Sequence, residues 1–145
     1  FCTALQKGNA AEVEERFTQF LKKTISIRDT FVKKRWKENF YHGILLGILS
    51  CHNVWIVSSN QEAGDGYSDI LLTMEDEETG VVIEVKYAEN QDLDTVCKKD
   101  LEQIERNKYE EAFRDEGIEQ ILKYGIACYK KQCRVALAPF TISNQ

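Results

Sequence analysis

The sequence predicts an α/β chain whose central elements follow the order αβββαβ. Two apolar runs of strand length, at residues 66–72 and 81–87, flank a short acidic turn, which is typical of a β-hairpin. Apolar residues recur at helical spacing before this hairpin, over residues 36–50, and after it, over residues 92–115. Strand-like runs precede the hairpin and follow the second of these helices, which completes the order.

Local sequence signals support the predicted helices. In the first helix Val13, Phe17 and Leu21 recur at helical spacing, and Gly117 is suited to end the long helix after the hairpin. Before the hairpin we expect a helix at 10–24, a basic connector at 26–35, a helix at 36–50, a strand at 54–57 and a Gly-rich loop at 60–67. After it we expect the helix at 92–115, a short helix at 118–123 and strands at 125–130 and 133–138.

The hairpin carries charges in an otherwise apolar strand. Because strand side chains alternate, Glu84 and Lys86 share one face, and such charges are costly to bury unless they are paired or bind a metal. If Met74 faces Val81, then Asp69 faces Lys86, and all three charged residues lie on one face. A slip by one residue would move Asp69 to the other face. An exposed hairpin with ordinary cross-strand ion pairs is the alternative interpretation.

Length and composition fit a single soluble globular domain. The chain has 145 residues, of which 43% are hydrophobic and 30% charged. No apolar run is long enough to span a membrane, and no signal peptide is recognised. Five cysteines without metal-type spacing predict free thiols in the cytoplasm. Because the sequence begins with Phe1 rather than Met, we expect it to be a piece of a longer protein.

The charge is unevenly distributed along the chain. The net charge is −5, yet residues 22–37 hold seven basic side chains against one acid, and residues 123–134 hold four against none. Such stretches are ordinarily solvated faces. Beside a carboxylate site they become a candidate track for phosphates.

The ordered set of Glu38 on a helix, then Ser68-Asp69, then Glu84-Val85-Lys86 resembles the PD-(D/E)XK nuclease superfamily, with Ser68 where the name-giving Pro would stand. The resemblance implies a restriction-endonuclease-like fold, with a central mixed sheet flanked by helices. Four further residues, His42, Gly66, Gln103 and Tyr109, resemble the RecB-like branch. The chain is also similar to a nuclease-like domain at the C-terminus of bacterial proteins that carry an AAA-type ATPase-like region.

The resemblance also implies a site. The implied metal ligands are Glu38, His42, Asp69, Glu84 and the carbonyl of Val85, and the implied catalytic residues are Asp69, Glu84, Lys86 and Gln103. These carboxylates are hard oxygen donors, which suit Mg²⁺ or Mn²⁺. Glu62 is an alternative to Glu38. A packed core histidine at His42, a polar helix edge at Gln103 and plain packing for Tyr109 are the competing interpretations.

The sequence thus predicts a metal-dependent nuclease that hydrolyses phosphodiester bonds of DNA. The alternative is a degenerate nuclease-fold module that binds nucleic acid or a protein, such as an ATPase-like region of the same chain. We expect residues 1–35 to form an N-terminal helical extension and residues 36–145 to form the nuclease-like domain, together as one compact unit.

Overall fold

The computed structural model describes residues 1–26, 34–52, 55–61, 68–74, 78–89, 92–106, 113 and 116–141. Four helices and five strands occupy these residues. In chain order they are α1 (Cys2–Gln6), α2 (Ala10–Thr24), α3 (Lys34–Ser50), β1 (Trp55–Gln61), β2 (Ser68–Met74), β3 (Thr79–Tyr87), α4 (Leu93–Arg106), β4 (Gln120–Tyr129) and β5 (Gln132–Thr141).

The five strands form one mixed sheet in the order β1-β2-β3-β4-β5. All neighbouring pairs are antiparallel except β3 and β4, which are parallel. A parallel pair needs a crossover connection, and α4 lies within the connection between β3 and β4. The predicted fold class, an αβββαβ core with a mixed sheet and flanking helices, is confirmed.

Each face of the sheet has its own apolar core. On one face, the inward side chains of α2 and α3 pack with alternate residues of β3, including Ile83, Val85 and Tyr87. On the other face, Val82 belongs to a smaller cluster with Phe113, and the sheet there meets α4. Because both faces are covered, β3 is buried almost throughout its length.

The N-terminal helices are tied to the last two strands. Asn9 caps α2, since its side chain accepts a hydrogen bond of 3.2 Å from the Glu12 N–H. The Tyr124 hydroxyl donates to the Leu5 carbonyl at 2.6 Å, within a buried setting. The Val135 N–H donates to Glu14 Oε1 at 2.9 Å. Because β5 is an edge strand, this carboxylate covers a backbone donor that an open edge would expose.

Two sequence predictions need correction, and one helix was not predicted. The short helix expected at 118–123 is wrong, because β4 runs from Gln120 to Tyr129. A parallel strand buried on both faces is nearly continuously apolar, so its sequence lacks the alternation that marks a strand. The expected loop at 60–67 starts later, since β1 extends to Gln61, and the short helix α1 was not predicted.

Some expectations fall outside the described residues. These are the connector at 27–33, the loop at 62–67 and most of the expected long helix beyond Arg106, where Phe113 alone is described as helical. All five cysteines are free thiols, and Cys97, Cys128 and Cys133 are buried. In the described part of the chain, no helix combines the length and apolar character needed to cross a bilayer.

Helix α4 approaches β4 most closely at Gly125. A Cβ built at this glycine would lie 2.6 Å from the Cys97 carbonyl oxygen and 3.0 Å from the Asp100 Cβ. The first distance is shorter than real Cβ contacts and involves backbone that cannot swing aside, and the second is tight enough that Asp100 would have to shift. The absence of a side chain at Gly125 therefore sets the distance between the helix and the sheet.

We expect Gly125→Ala to lower the free energy of unfolding by about 2 kcal/mol or more, because the added methyl group must push α4 away from the sheet. Gly47→Ala is the matched control. Gly47 is an exposed position in α3 with open space around a built Cβ, so alanine there should raise stability by about 0.5–1 kcal/mol. Urea unfolding measures both variants, and a neutral result for Gly125→Ala would contradict the close approach.

Candidate functional site

Glu84, in the middle of the sheet, is a completely buried carboxylic acid with 0% exposure. Neither of its carboxylate oxygens accepts a hydrogen bond from the part of the chain that the structure describes. Burial raises the pKa of Glu84 to about 8; the positive charge of Lys86 lowers it and the negative charge of Glu38 raises it. Without a metal ion beside it, this carboxyl group is therefore mostly protonated at neutral pH.

The register of the hairpin places Asp69 directly opposite Glu84. The expectation that Asp69 would face Lys86 is therefore wrong, and the strands are displaced by two residues from the expected register. Thr79 and Gly80, which the sequence assigned to the turn, belong to β3 and pair with β4. Because the displacement is even, position 69 still lies on the same face of the sheet as Glu84.

The sheet opens at this acidic pair. Among the described strand residues, the pairing of β2 with β3 ends at Asp69 and Glu84. The pairing of β1 with β2 continues to Ser68, and that of β3 with β4 continues to Tyr87. The two central strands thus separate immediately beyond the acids, each staying with its outer neighbour. Glu84 is nevertheless fully buried at this point of the sheet.

Glu38, on α3, lies near the Glu84 carboxyl group. Its side chain is half-buried, and its charge is among those that act on the Glu84 carboxyl. Lys86, two residues beyond Glu84 on the same face of β3, is also half-buried and acts on the same carboxyl with the opposite sign. The structure therefore brings Glu38, Glu84 and Lys86 near one another, with the backbone of Asp69 beside Glu84.

His42 lies one helical turn after Glu38 and is 3% exposed. Its Nε2 atom is 2.8 Å from the Ser59 hydroxyl of β1, so this contact joins α3 to the edge strand. The competing interpretation of His42 was a core histidine bonded to a backbone carbonyl. His42 is indeed buried, and the described partner of its Nε2 atom is a serine hydroxyl. Since Nε2 is engaged, a metal-binding role for His42, which stays a prediction, would use Nδ1.

The remaining predicted residues are placed only in part. Val85 is buried in the larger core, and Gln103 lies on α4, although its side chain is outside the described set. Glu62, Gly66 and Tyr109 lie outside the described residues, as does the side chain of Asp69. Among the side chains that are described, no three potential ligands gather as a metal site.

Two charged residues that the sequence did not predict to be buried, Asp100 and Lys123, are 0% and 1% exposed, so the expectation that Lys123 belongs to a solvated basic stretch is wrong. Asp100 lies against Gly125, the β4 residue that pairs with Glu84. Lys123 precedes Gly125 by two residues, so it lies on the same face of β4. A lysine inside the apolar run of residues 121–126 was the available signal, and the predicted helix at 118–123 concealed it.

Comparison with known proteins agrees with the fold. The family model of the PD-(D/E)XK nuclease superfamily matches residues 36–137, which span α3 through most of β5. This chain belongs to the PD-(D/E)XK nuclease superfamily. A search of curated proteins found no match. Members of this superfamily usually hydrolyse phosphodiester bonds and typically use divalent metals.

The raised pKa of Glu84 predicts a pH-dependent stability in the absence of metal. Between the ordinary value of 4.5 and about 8, the folded protein holds a proton that the unfolded chain releases. The free energy of unfolding should therefore fall by about 3–5 kcal/mol as the pH rises from about 5 to about 9. Urea unfolding in EDTA across this range measures the fall.

Glu84→Gln should remove most of this dependence, because the amide stays neutral at every pH. Glu116→Gln makes the same chemical change at an exposed position and should preserve the dependence. Equal pH profiles for the two variants would show that Glu84 titrates normally in the folded protein.

Proposed function

We propose that this protein is a metal-dependent nuclease that hydrolyses phosphodiester bonds of DNA. One observation carries the proposal: the buried Glu84 lies opposite Asp69 where β2 and β3 separate, with Glu38 and Lys86 nearby. An acid buried in this way weakens a fold that has no use for it. Membership of a superfamily of phosphodiester hydrolases supplies the matching chemistry.

The donor set fits a hard divalent cation. Carboxylate and carbonyl oxygens are the ligands preferred by Mg²⁺ and Mn²⁺. The proposed ligands are Asp69, Glu84, the Val85 carbonyl and Glu38, with His42 and Glu62 as further candidates. The Glu84 oxygens receive no hydrogen bond from the described residues, so their lone pairs are available to a cation. A bound cation would keep Glu84 ionised at neutral pH, against the effect of burial.

Hydrolysis of a phosphodiester also requires positive charge at the reacting phosphate, in addition to ligands for the metal. When bound, a divalent metal activates water and neutralises charge on the scissile phosphate. Lys86 lies on the same face as Glu84 and two residues beyond it, so its ammonium group can orient the attacking water and stabilise the charge that develops on phosphorus oxygens. We propose that Gln103 on α4 contacts the same reacting group from the other side of the opening.

The rival function is binding without cleavage, to nucleic acid or to an ATPase-like region of the same protein. Both functions use the same fold, and they differ in whether the acidic positions hold a metal.

We expect Lys86→Ala to reduce DNA cleavage by roughly 10²–10³-fold or more, because the charge that stabilises the transition state is lost. Metal binding should persist, since the carboxylates are intact. Assays on plasmid, linear duplex and single-stranded DNA should show cleavage with Mg²⁺ or Mn²⁺ and poor cleavage with Ca²⁺, whose looser coordination orients water less well. Lys98→Ala, at an exposed position of α4, is the charge-matched control and should cleave normally. Undiminished cleavage by Lys86→Ala would indicate a contaminant or another site.

A separate prediction concerns metal and stability. At about ten times its dissociation constant, Mg²⁺ should stabilise the protein by about 1.4 kcal/mol through mass action. Asp69→Asn should lose most of this gain, yet be as stable as the parent or more stable in EDTA, because the amide removes a negative charge that opposes the ionisation of Glu84. Thermal melting in EDTA and in millimolar Mg²⁺ tests both statements. A variant that is clearly destabilised in EDTA, with no Mg²⁺ effect on either protein, would favour the non-cleaving module.

A further inference from the structure

A stack of aromatic rings and lysines lies at the end of the β3–β4 pair. The Tyr87 ring is flanked by Tyr41, at 6.2 Å between centroids, and by Tyr129, at 5.7 Å. Lys37 Nζ lies 4.6 Å from the centre of the Tyr87 ring, and Lys130 Nζ lies 5.3 Å from that of Tyr129. Cation–π contacts of this kind attract an ammonium group to the ring face, so the rings hold both lysines in place.

The backbone also holds Lys130 in place. Lys130 is the first residue of the two-residue turn between β4 and β5, and the Tyr41 hydroxyl donates to its carbonyl at 2.6 Å. Its φ is 51°, in the left-handed region that glycine enters without strain and that other residues rarely adopt. A lysine kept at a position where glycine would fit better points to a use for its side chain.

The stack adjoins the candidate site. Lys37 precedes Glu38 on α3, and Tyr87 follows Lys86 at the end of β3. Strand alternation turns the Tyr87 ring to the α3 side of the sheet and Lys86 to the other side, so the stack and the site share this end of β3 but not the same face. Trp36, one residue before Lys37 on α3, is 50% exposed, which is unusual for so large an aromatic side chain. We refer to Trp36, Lys37, Tyr129 and Lys130 as the aromatic–lysine surface; the Tyr87 ring, over which Lys37 lies, is itself buried. The surface presents ammonium groups and an indole ring at the end of β3 that carries Lys86.

We propose that the aromatic–lysine surface binds a single strand of DNA and leads its backbone to the opening between β2 and β3. This assignment rests on the proposed nuclease function and names the form of its substrate. Lys37 and Lys130 contact successive phosphates, and the indole of Trp36 stacks on an unpaired base. Stacking of this kind requires a base face that a duplex keeps covered, which favours the single strand. Exposed Glu89, whose charge acts on Tyr87, limits the surface on one side.

Fluorescence anisotropy with a labelled 20-nucleotide oligo-dT and with a 20-base-pair duplex, in CaCl₂ at several salt concentrations, tests the proposal. Lys37→Gln and Lys130→Gly should each weaken oligo-dT binding by roughly three- to tenfold at low salt and reduce the slope of log affinity against log salt by about 0.7. Trp36→Ala should weaken binding by about fivefold or more without changing the slope, because stacking releases no counterions. Lys98→Gln, at an exposed position of α4, is the charge-matched control and should bind normally.

Lys130→Gly separates binding from folding. Glycine adopts the observed φ without strain, so this variant should melt at the same temperature as the parent or higher while binding more weakly. A variant that melts lower and binds normally would assign Lys130 to the structure of the turn and overturn the proposal. Equal affinity for duplex and oligo-dT, with no effect of Trp36→Ala, would overturn it as well.

The outcomes also separate this proposal from the nuclease assignment. If Mg²⁺-dependent cleavage is observed but all three variants bind oligo-dT normally, the surface is wrong and the nuclease function stands. If binding responds as expected but no divalent metal supports cleavage, the surface stands and the nuclease function is wrong.

Discussion

The burial of the Glu84 carboxyl group is the constraint on which the rest of the site depends. A strand that is covered on both faces would ordinarily carry aliphatic residues, and β3 does so from Val81 to Val85 except at Glu84. Ionising Glu84 requires a positive partner, and Lys86 is the basic residue whose charge acts on it among those described. Among the described residues, the pairing of β2 with β3 ends at the same point.

The arrangement also explains why α3 is positioned as it is. His42 joins the helix to β1 through Ser59, while Tyr41 packs on Tyr87 of β3 and bonds to the turn after β4. Glu38, one turn earlier, is therefore presented from a helix that is fixed to both halves of the opened sheet. Three consecutive residues of this turn have different surroundings. The charge of Glu38 acts on the Glu84 carboxyl group, Lys37 lies over the Tyr87 ring, and Trp36 is exposed.

Much of this could be predicted from the sequence, because the decisive signals were local. The period of α2 follows from Val13, Phe17 and Leu21, and the common face of Glu84 and Lys86 follows from strand alternation alone. The register could not be predicted, since Thr79 and Gly80 have turn chemistry but are held in β3 by pairing with β4, which lies far along the chain. The same non-local burial made β4 appear helical and concealed Lys123. Burial, which depends on these non-local contacts, is the largest cause of the raised pKa of Glu84 among the described contributions.

The bond from Tyr124 to Leu5 joins residues that are 119 positions apart, and Val135 is joined to Glu14 across 121 positions. Closing such long loops has a large entropic cost, which local contacts near the hairpin avoid. During synthesis α1 and α2 emerge before β4 and β5, and the partners of Leu5 and Glu14 are made more than a hundred residues later. The contacts that join these helices to the sheet can therefore form only after the last strands have been made.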